Sequence, residues 1–211
     1  MTTQIKICGL STRETMQAAL DAGAEMVGLV FYPKSPRHVS FERAITLSAQ
    51  ARGSAKVVAL VVDGDDALLK TITASVQPDY LQAHGSETPE RVAEIARLFG
   101  VPVIKAIKVK EAADVALAKA YKDAAALILY DAKAPEDLLP GGNGLSFDWN
   151  LLKGTDGRFM LSGGLNLENV ATAIRLTRAP IVDVSSGVEH LPGQKDIHLI
   201  RKLIEAAKSV R

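Results

Sequence analysis

Residues 4–31 read QIKICGLSTRETMQAALDAGAEMVGLVF and hold one complete strand-helix-strand unit. Gln4–Cys8 alternates with a period of two, so Ile5 and Ile7 share one face while Lys6 and Cys8 share the other. Ser11, with Glu14 three residues on, has the pattern of a capping box ahead of an amphipathic segment over Thr12–Ala22. Gly23 stands where that helix should stop, and Met26–Phe31 is a second short apolar run. A strand, a helix and another strand in this order predict parallel pairing through a helical crossover.

The unit recurs along the chain. Further strands are predicted at Lys56–Val62, Asp79–His84, Pro102–Ile107, Ala124–Asp131, Arg158–Ser162 and Ile181–Ser185. Helical patterns lie between them at Phe41–Ala51, Ala67–Ala74, Pro89–Phe99, Glu111–Tyr121, Leu167–Thr177 and Ile197–Val210. A short helical turn is expected after Phe147 in place of an eighth helix. Ser40 and Thr88-Pro89 supply helix starts, and Gly100 a helix stop. The two architectures that fit are an open doubly wound sheet and a closed barrel. Sharing 211 residues among eight units gives roughly 26 each, at the compact end for a (β/α)₈ barrel. No Gly-x-Gly-x-x-Gly follows the first strand, which weakens a dinucleotide-binding reading. The expected fold class is therefore α/β, a (β/α)₈ TIM barrel, with residues 1–211 forming one catalytic domain.

Composition narrows the function classes. The chain has 25 basic and 24 acidic residues, a net charge of +1, and no basic block, so no footprint for nucleic acid or an anionic membrane appears. The single cysteine cannot form an internal disulfide, which points to a reducing compartment. Met1-Thr2-Thr3-Gln4 lacks the charges and apolar run of a signal peptide, and Ala124–Tyr130 is far too short to span a bilayer. The reading is a cytoplasmic protein with a small-molecule substrate and no membrane or nucleic-acid partner. Monomer and homodimer both remain open.

In a barrel, chemistry sits at the C-terminal ends of the strands. Lys6 and Cys8 end the first strand, Gln82 and His84 the fourth, Asp131 the sixth, and Asp183 and Ser185 the eighth, with Lys105 on the fifth. A polar residue at one strand end can simply meet solvent, but a thiol among several such ends suggests a shared mouth. Two glycine-bearing turns follow strands seven and eight, Ser162-Gly163-Gly164-Leu165-Asn166 and Ser185-Ser186-Gly187. Their backbone N–H groups could hold phosphate, and the bland alternative is ordinary turn chemistry. Pro140-Gly141-Gly142-Asn143-Gly144, after strand six, reads as a lid or a flexible connection. Arg37 in Ser35-Pro36-Arg37 reads equally as a carboxylate fork or a solvated cation. No metal-ligand spacing and no nucleophile elbow occur, so no metal and no cofactor are expected.

Taken in order, KICGL at 6–10, GLVFYPKSPRHVS at 28–40, LQAHG at 81–85, IKAI at 104–107, GGNG and FDW within 141–149, SGGLNLENV at 162–170 and DVSSGVE at 183–189 resemble the phosphoribosylanthranilate isomerase family of tryptophan biosynthesis. The resemblance runs across essentially the whole chain. It implies the barrel and an Amadori rearrangement of N-(5-phosphoribosyl)anthranilate to 1-(2-carboxyphenylamino)-1-deoxy-D-ribulose 5-phosphate. It also implies roles: Cys8 as general base, Asp131 as general acid, Arg37 on the anthranilate carboxylate, Gly163, Gly164, Ser185, Ser186 and Gly187 as the phosphate cradle, and Asp183 in support. Lys6, Gln82 and His84 are expected to support the same site. Asn143, Ala83 and Ser162 depart from the family's usual threonine, leucine and alanine, and none removes a proposed catalytic group.

The chemistry needs one acid to open the ribose ring and one base to take the C2′ proton from the resulting imine, each worth ~10²–10⁴ in rate. A donor aspartate must hold a proton at neutral pH, which burial under the loop would favour. A cysteine base must be ionised, and Lys6 on the same face is expected to help. The competing readings are a histidine-pathway aminoaldose isomerase, where an aspartate would be expected in place of Cys8, and a non-catalytic phosphosugar-binding barrel.

Overall fold

The computed structural model describes residues 3–135, 138, 141–155 and 157–210. Met1 and Thr2 of the N-terminal reading and Pro140 of the glycine-rich stretch lie outside the described residues. Eight parallel strands close into a barrel in chain order: β1 (Gln4–Cys8), β2 (Met26–Val30), β3 (Lys56–Val61), β4 (Tyr80–Ala83), β5 (Val103–Val109), β6 (Leu127–Ala132), β7 (Phe159–Leu161) and β8 (Ile181–Val184). Closure comes from β1 pairing with β8, in a register that sets Lys6 beside Asp183.

The crossovers are helices α1 (Arg13–Asp21), α2 (Phe41–Ala51), α3 (Asp66–Ser75), α4 (Pro89–Phe99) and α5 (Ala112–Ala116), then α6 (Val170–Thr177) and α7 (Ile197–Lys208). A 3₁₀ turn over Trp149–Leu152 replaces a helix between β6 and β7, as the sequence suggests. Ser40 and Thr88 cap α2 and α4, each accepting a backbone N–H. Gly100 ends α4 in the left-handed conformation, with φ +65°.

Each strand is buried on both faces, as parallel sheets demand. One parity points between barrel and helices, where Ile5, Ile7, Leu29, Leu81, Val103 and Leu161 join a continuous apolar layer. The other parity fills the barrel interior: Met26, Val58, Ile104, Ala106, Leu127, Leu129, Met160 and Ile181 pack together. Above them, toward the strand ends, the interior turns polar.

Four local expectations need correction. Thr12, not Ser11, caps α1: its hydroxyl accepts the Thr15 N–H at 3.2 Å, while the Ser11 carbonyl accepts from Arg43. The segment Glu111–Tyr121 is α5 followed by a 3₁₀ stretch over Leu117–Tyr121. α6 begins at Val170 rather than Leu167, because Asn166 and Asn169 tie residues 166–169 into a turn with mutual side-chain-to-backbone bonds. Lys105 shares the outward parity of Val103 and Ile107 and does not point into the mouth. Its ammonium lies 2.6 Å from Glu87, buried between strand and helix layers.

Candidate active site

Cys8 ends β1 with its sulfur inside the barrel. β2 places Gly28 opposite it, and a Cβ on Gly28 would lie 2.7 Å from the Cys8 Sγ. The absent side chain is what makes room for the thiol. One turn deeper, Lys6 is fully buried and its Nζ donates to Asp183 Oδ1 at 2.9 Å. Burial alone would depress the Lys6 ammonium, but Asp183 and Cys8 outweigh it and raise its pKa. For Cys8 the balance falls the other way. Burial pushes the thiol above its usual value, Asp183 adds to this, and Lys6 and Lys195 only partly oppose it. Lys6 acts on Cys8 in the expected direction, but its ammonium is shared with Asp183 and desolvation outweighs it.

Across the mouth, β4 and β6 present a buried chain of three side chains. Gln82 Nε2 lies 3.0 Å from His84 Nδ1, and His84 Nε2 lies 3.2 Å from Asp131 Oδ2. The other Asp131 oxygen accepts the Ala132 N–H at 3.0 Å. Gln82 Oε1 is buried without a hydrogen-bond partner among the described residues.

Arg37 is no solvated cation, being only 6% exposed. Its fork meets Glu189, with Nε 2.8 Å from Oε1 and Nη2 2.7 Å from Oε2, and Nη2 also donates to the Gly142 carbonyl at 3.0 Å. Glu189 in turn accepts from Lys195 at 2.6 Å, and Lys195 donates to the Ser185 carbonyl at 3.0 Å. Glu189 and Lys195 sit on a two-stranded hairpin, β9 (Glu189–Leu191) and β10 (Gln194–Lys195), between β8 and α7. The sequence reading missed both residues. Arg37 and Lys195 hold the Glu189 carboxyl below its ordinary value against the opposing effect of burial.

Two adjoining cavities meet at Asp131, Ser162, Asp183 and Ser185. The first, about 50 Å³, is lined by Cys8, Arg37, Gln82, His84 and the apolar Val30 and Leu60. The second, about 20 Å³, is lined by Gly163, Gly164, Ser185 and Ser186 together with residues 141–145. No lysine or arginine lines the second among the described residues, so an anion there would rely on backbone N–H groups. Gly187 does not line it. A Cβ at Gly187 would collide with the Leu165 carbonyl, so this glycine lets the two phosphate-type turns pack together. Lys6 also lies below the cavities rather than in their walls. Gly141 and Gly142 cover the mouth: a Cβ on Gly141 would come within 2.9 Å of Asp131 Oδ2, and one on Gly142 would strike Arg37 Nη1. Among the described residues no group of three or more His, Cys, Asp or Glu side chains could hold a metal ion, and no helix is long and apolar enough to cross a membrane.

The chain is similar to known proteins along its length. The family model described as N-(5'phosphoribosyl)anthranilate (PRA) isomerase matches residues 5–206. An N-(5'-phosphoribosyl)anthranilate isomerase of Bradyrhizobium sp. (strain ORS 278) is 52% identical, over 99% of this chain and 97% of that protein. One from Parvibaculum lavamentivorans is 51% identical over 99% of each. Among solved structures, phosphoribosyl anthranilate isomerase from Thermotoga maritima superposes with a TM-score of 0.88 at 37% identity, covering 98% of this chain and 99% of that one. A phosphoribosyl anthranilate isomerase in complex with reduced 1-(o-carboxyphenylamino)-1-deoxyribulose 5-phosphate superposes at 0.85 with 35% identity, again over 98% and 99%. The chain belongs to the N-(5'-phosphoribosyl)anthranilate isomerase family.

Proposed function

We propose that this barrel, as one catalytic domain, isomerises N-(5-phosphoribosyl)anthranilate to 1-(2-carboxyphenylamino)-1-deoxy-D-ribulose 5-phosphate, the Amadori step of tryptophan biosynthesis. Family membership supports the reaction. The observation that carries the site assignment is that Cys8, Asp131 and Arg37 wall one cavity that opens directly onto the glycine turns of Gly163-Gly164 and Ser185-Ser186. Those four features match the four demands of the substrate: a base, an acid, a carboxylate contact and a phosphate cradle.

In this reading Asp131 protonates the ribose ring oxygen. The ring C–O bond breaks with its electrons on oxygen, and the anthranilate nitrogen forms a protonated imine. The imine makes the C2′ hydrogen acidic, and the Cys8 thiolate removes it. The enolamine then takes a proton at C1′ as its C2′ hydroxyl becomes the ketone. The substrate's own nitrogen acts as the electron sink, so acid and base suffice. Lys6 supports Cys8 from below, held by Asp183 in the cavity wall, and Gln82 and His84 support Asp131. Gly187 contributes to the cradle by packing it. Arg37, already forked onto Glu189, keeps Nη1 for the anthranilate carboxylate. The substrate is a small phosphorylated molecule, with neither nucleic acid nor membrane as partner, and the cytoplasm is the setting.

The test is turnover of phosphoribosylanthranilate, followed by loss of its fluorescence. Cys8→Ala and Asp131→Ala are each expected to lower kcat by about 10²–10⁴ with product affinity largely retained. Near wild-type turnover in either variant overturns that residue's role. Absence of turnover in the wild-type chain, with the phosphosugar still bound, would favour a binding barrel.

A further inference from the structure

The His84–Asp131 contact and the orphaned Gln82 oxygen carry an inference that rests on the reading of Asp131 as the acid. A free carboxyl titrates near ~3.9, so at neutral pH an isolated aspartate holds a proton only about once in a thousand. A free imidazole titrates near ~6.5 and is protonated about one time in four at pH 7, more often beside a carboxylate. The structure joins the two, with His84 Nε2 3.2 Å from Asp131 Oδ2. We propose that His84 is a positioning residue that shares one transferable proton with Asp131, making the pair rather than the carboxylate alone the loaded acid, and that Gln82 serves the imidazole in both of its protonation states.

The need for glutamine follows from hydrogen-bond bookkeeping. When His84 is neutral with its proton on Nε2, Nδ1 must accept, and Gln82 Nε2 donates to it at 3.0 Å. When His84 is an imidazolium, Nδ1 must donate, and it needs an acceptor. Gln82 Oε1 is buried and without a partner among the described residues. A half-turn of the amide about its terminal bond brings that oxygen to Nδ1. A glutamate could only accept, and an apolar residue could do neither.

The step balances. In the loaded state the imidazolium carries protons on both Nδ1 and Nε2, one more than the neutral imidazole, and the Nε2 proton lies toward Asp131 Oδ2. Asp131 passes the Nε2-side proton to the ring oxygen as the ring C–O bond breaks, leaving His84 neutral with its remaining proton on Nδ1, held by the Gln82 oxygen, until the proton shifts back to Nε2 and the amide turns to donate. When Cys8 returns its proton to C1′, the C2′ hydroxyl proton goes back to the pair. Other charged or titratable groups facing the pair are Cys8 from β1, Tyr32 and Arg37 from the segment after β2, and Asp183 from β8. Arg37 is balanced by Glu189 and Asp183 by Lys6, and the covering glycines 141 and 142 bring no charge.

The test is the pH dependence of kcat in the full chain, with phosphoribosylanthranilate as substrate. If the two side chains share one proton across their 3.2 Å contact, the high-pH limb of kcat reports its loss. His84→Gln keeps an amide near Asp131 but does not titrate. It is expected to move that limb to lower pH, so that the deficit grows from about tenfold at pH 6 to about a hundredfold at pH 8. Gln82→Glu is expected to move the limb to higher pH, since a carboxylate on Nδ1 favours the imidazolium. A constant deficit at every pH in His84→Gln, or an unmoved limb in Gln82→Glu, overturns the proposal and leaves these residues a packing role. Should His84→Gln not fold, Gln82→Glu decides. Asp131→Ala separates the layers: full turnover there defeats the acid assignment itself, whereas a dead Asp131→Ala beside a pH-independent His84→Gln defeats only the proton sharing.

Discussion

A thiol must ionise before it can take a proton from carbon, and Cys8 sits where ionisation is opposed. Its sulfur is enclosed against Gly28, and burial raises its pKa more than the neighbouring cations lower it. Lys6 is the nearest help, yet its ammonium is bonded to Asp183, so part of its field is already neutralised. In the proposed reaction the cationic imine adds a positive charge beside the thiol that the protein's own cations do not supply. Lys6→Met is expected to do two things. It should move the Cys8 thiol further up, seen as thiolate ultraviolet absorbance appearing at higher pH than in wild type. It should also destabilise the fold by about 3–5 kcal/mol in denaturant unfolding, because Asp183 would be left buried without its partner. An unchanged Cys8 titration would show that Lys6 acts on Asp183 alone.

Between residues and the whole lie the loops that finish the site, and these were harder to read than the strands that carry them. The strands and most helices follow from period and punctuation, because their apolar spacing is set by the same burial that forms them. The outward pointing of Lys105 was not legible, because both parities of its strand carry apolar residues and only packing shows that Ile104 and Ala106 hold the inward one. Nor was the β9–β10 hairpin, since strands of three and two residues leave no period to detect. Glu189 becomes recognisable only when folding brings Arg37 across 152 positions of sequence to meet it. The segment after β6 shows the same dependence. Its glycines are visible in sequence, but their purpose, close approach to Asp131 and Arg37, is tertiary. Gly141 and Gly142 line both cavities, so the segment that covers the mouth also forms part of the wall a substrate meets. Gly142 has φ +73°, and a methyl there would strike the guanidinium it normally bonds. Gly142→Ala is expected to weaken product binding about tenfold, a loss of roughly 1–2 kcal/mol from left-handed backbone strain and the broken Arg37 contact. Titration calorimetry with product checks this, and unchanged affinity would mean the covering position contributes nothing to the bound state.

At the scale of the molecule, the same charges that serve chemistry also fasten the barrel's rim. Arg37–Glu189–Lys195 joins the segment after β2 to the hairpin after β8. On the opposite side, Glu87 binds Lys105 of β5 and accepts the backbone N–H groups of Asp63 and Gly85, while its own carbonyl accepts from Tyr121. Both carboxyls are shifted downward although burial works against it, Glu87 chiefly through Lys105 and Glu189 chiefly through Arg37 and Lys195. A carboxyl whose folded pKa lies below its unfolded one stabilises the native state above the unfolded value, about 4.3, and loses that contribution as pH falls through the folded value. Unfolding free energy should therefore hold steady near neutrality and decline below about pH 4.3, with more protons bound by the unfolded chain than by the barrel. Glu87→Gln separates the two clusters. At neutral pH it leaves Lys105 buried beside a neutral amide and is expected to cost about 3 kcal/mol. Below pH 4.3 the variant should lose stability less steeply than wild type, because one of the depressed carboxyls no longer titrates. Urea unfolding across this range measures both quantities, and a slope equal to that of wild type would place the acid lability in groups other than Glu87.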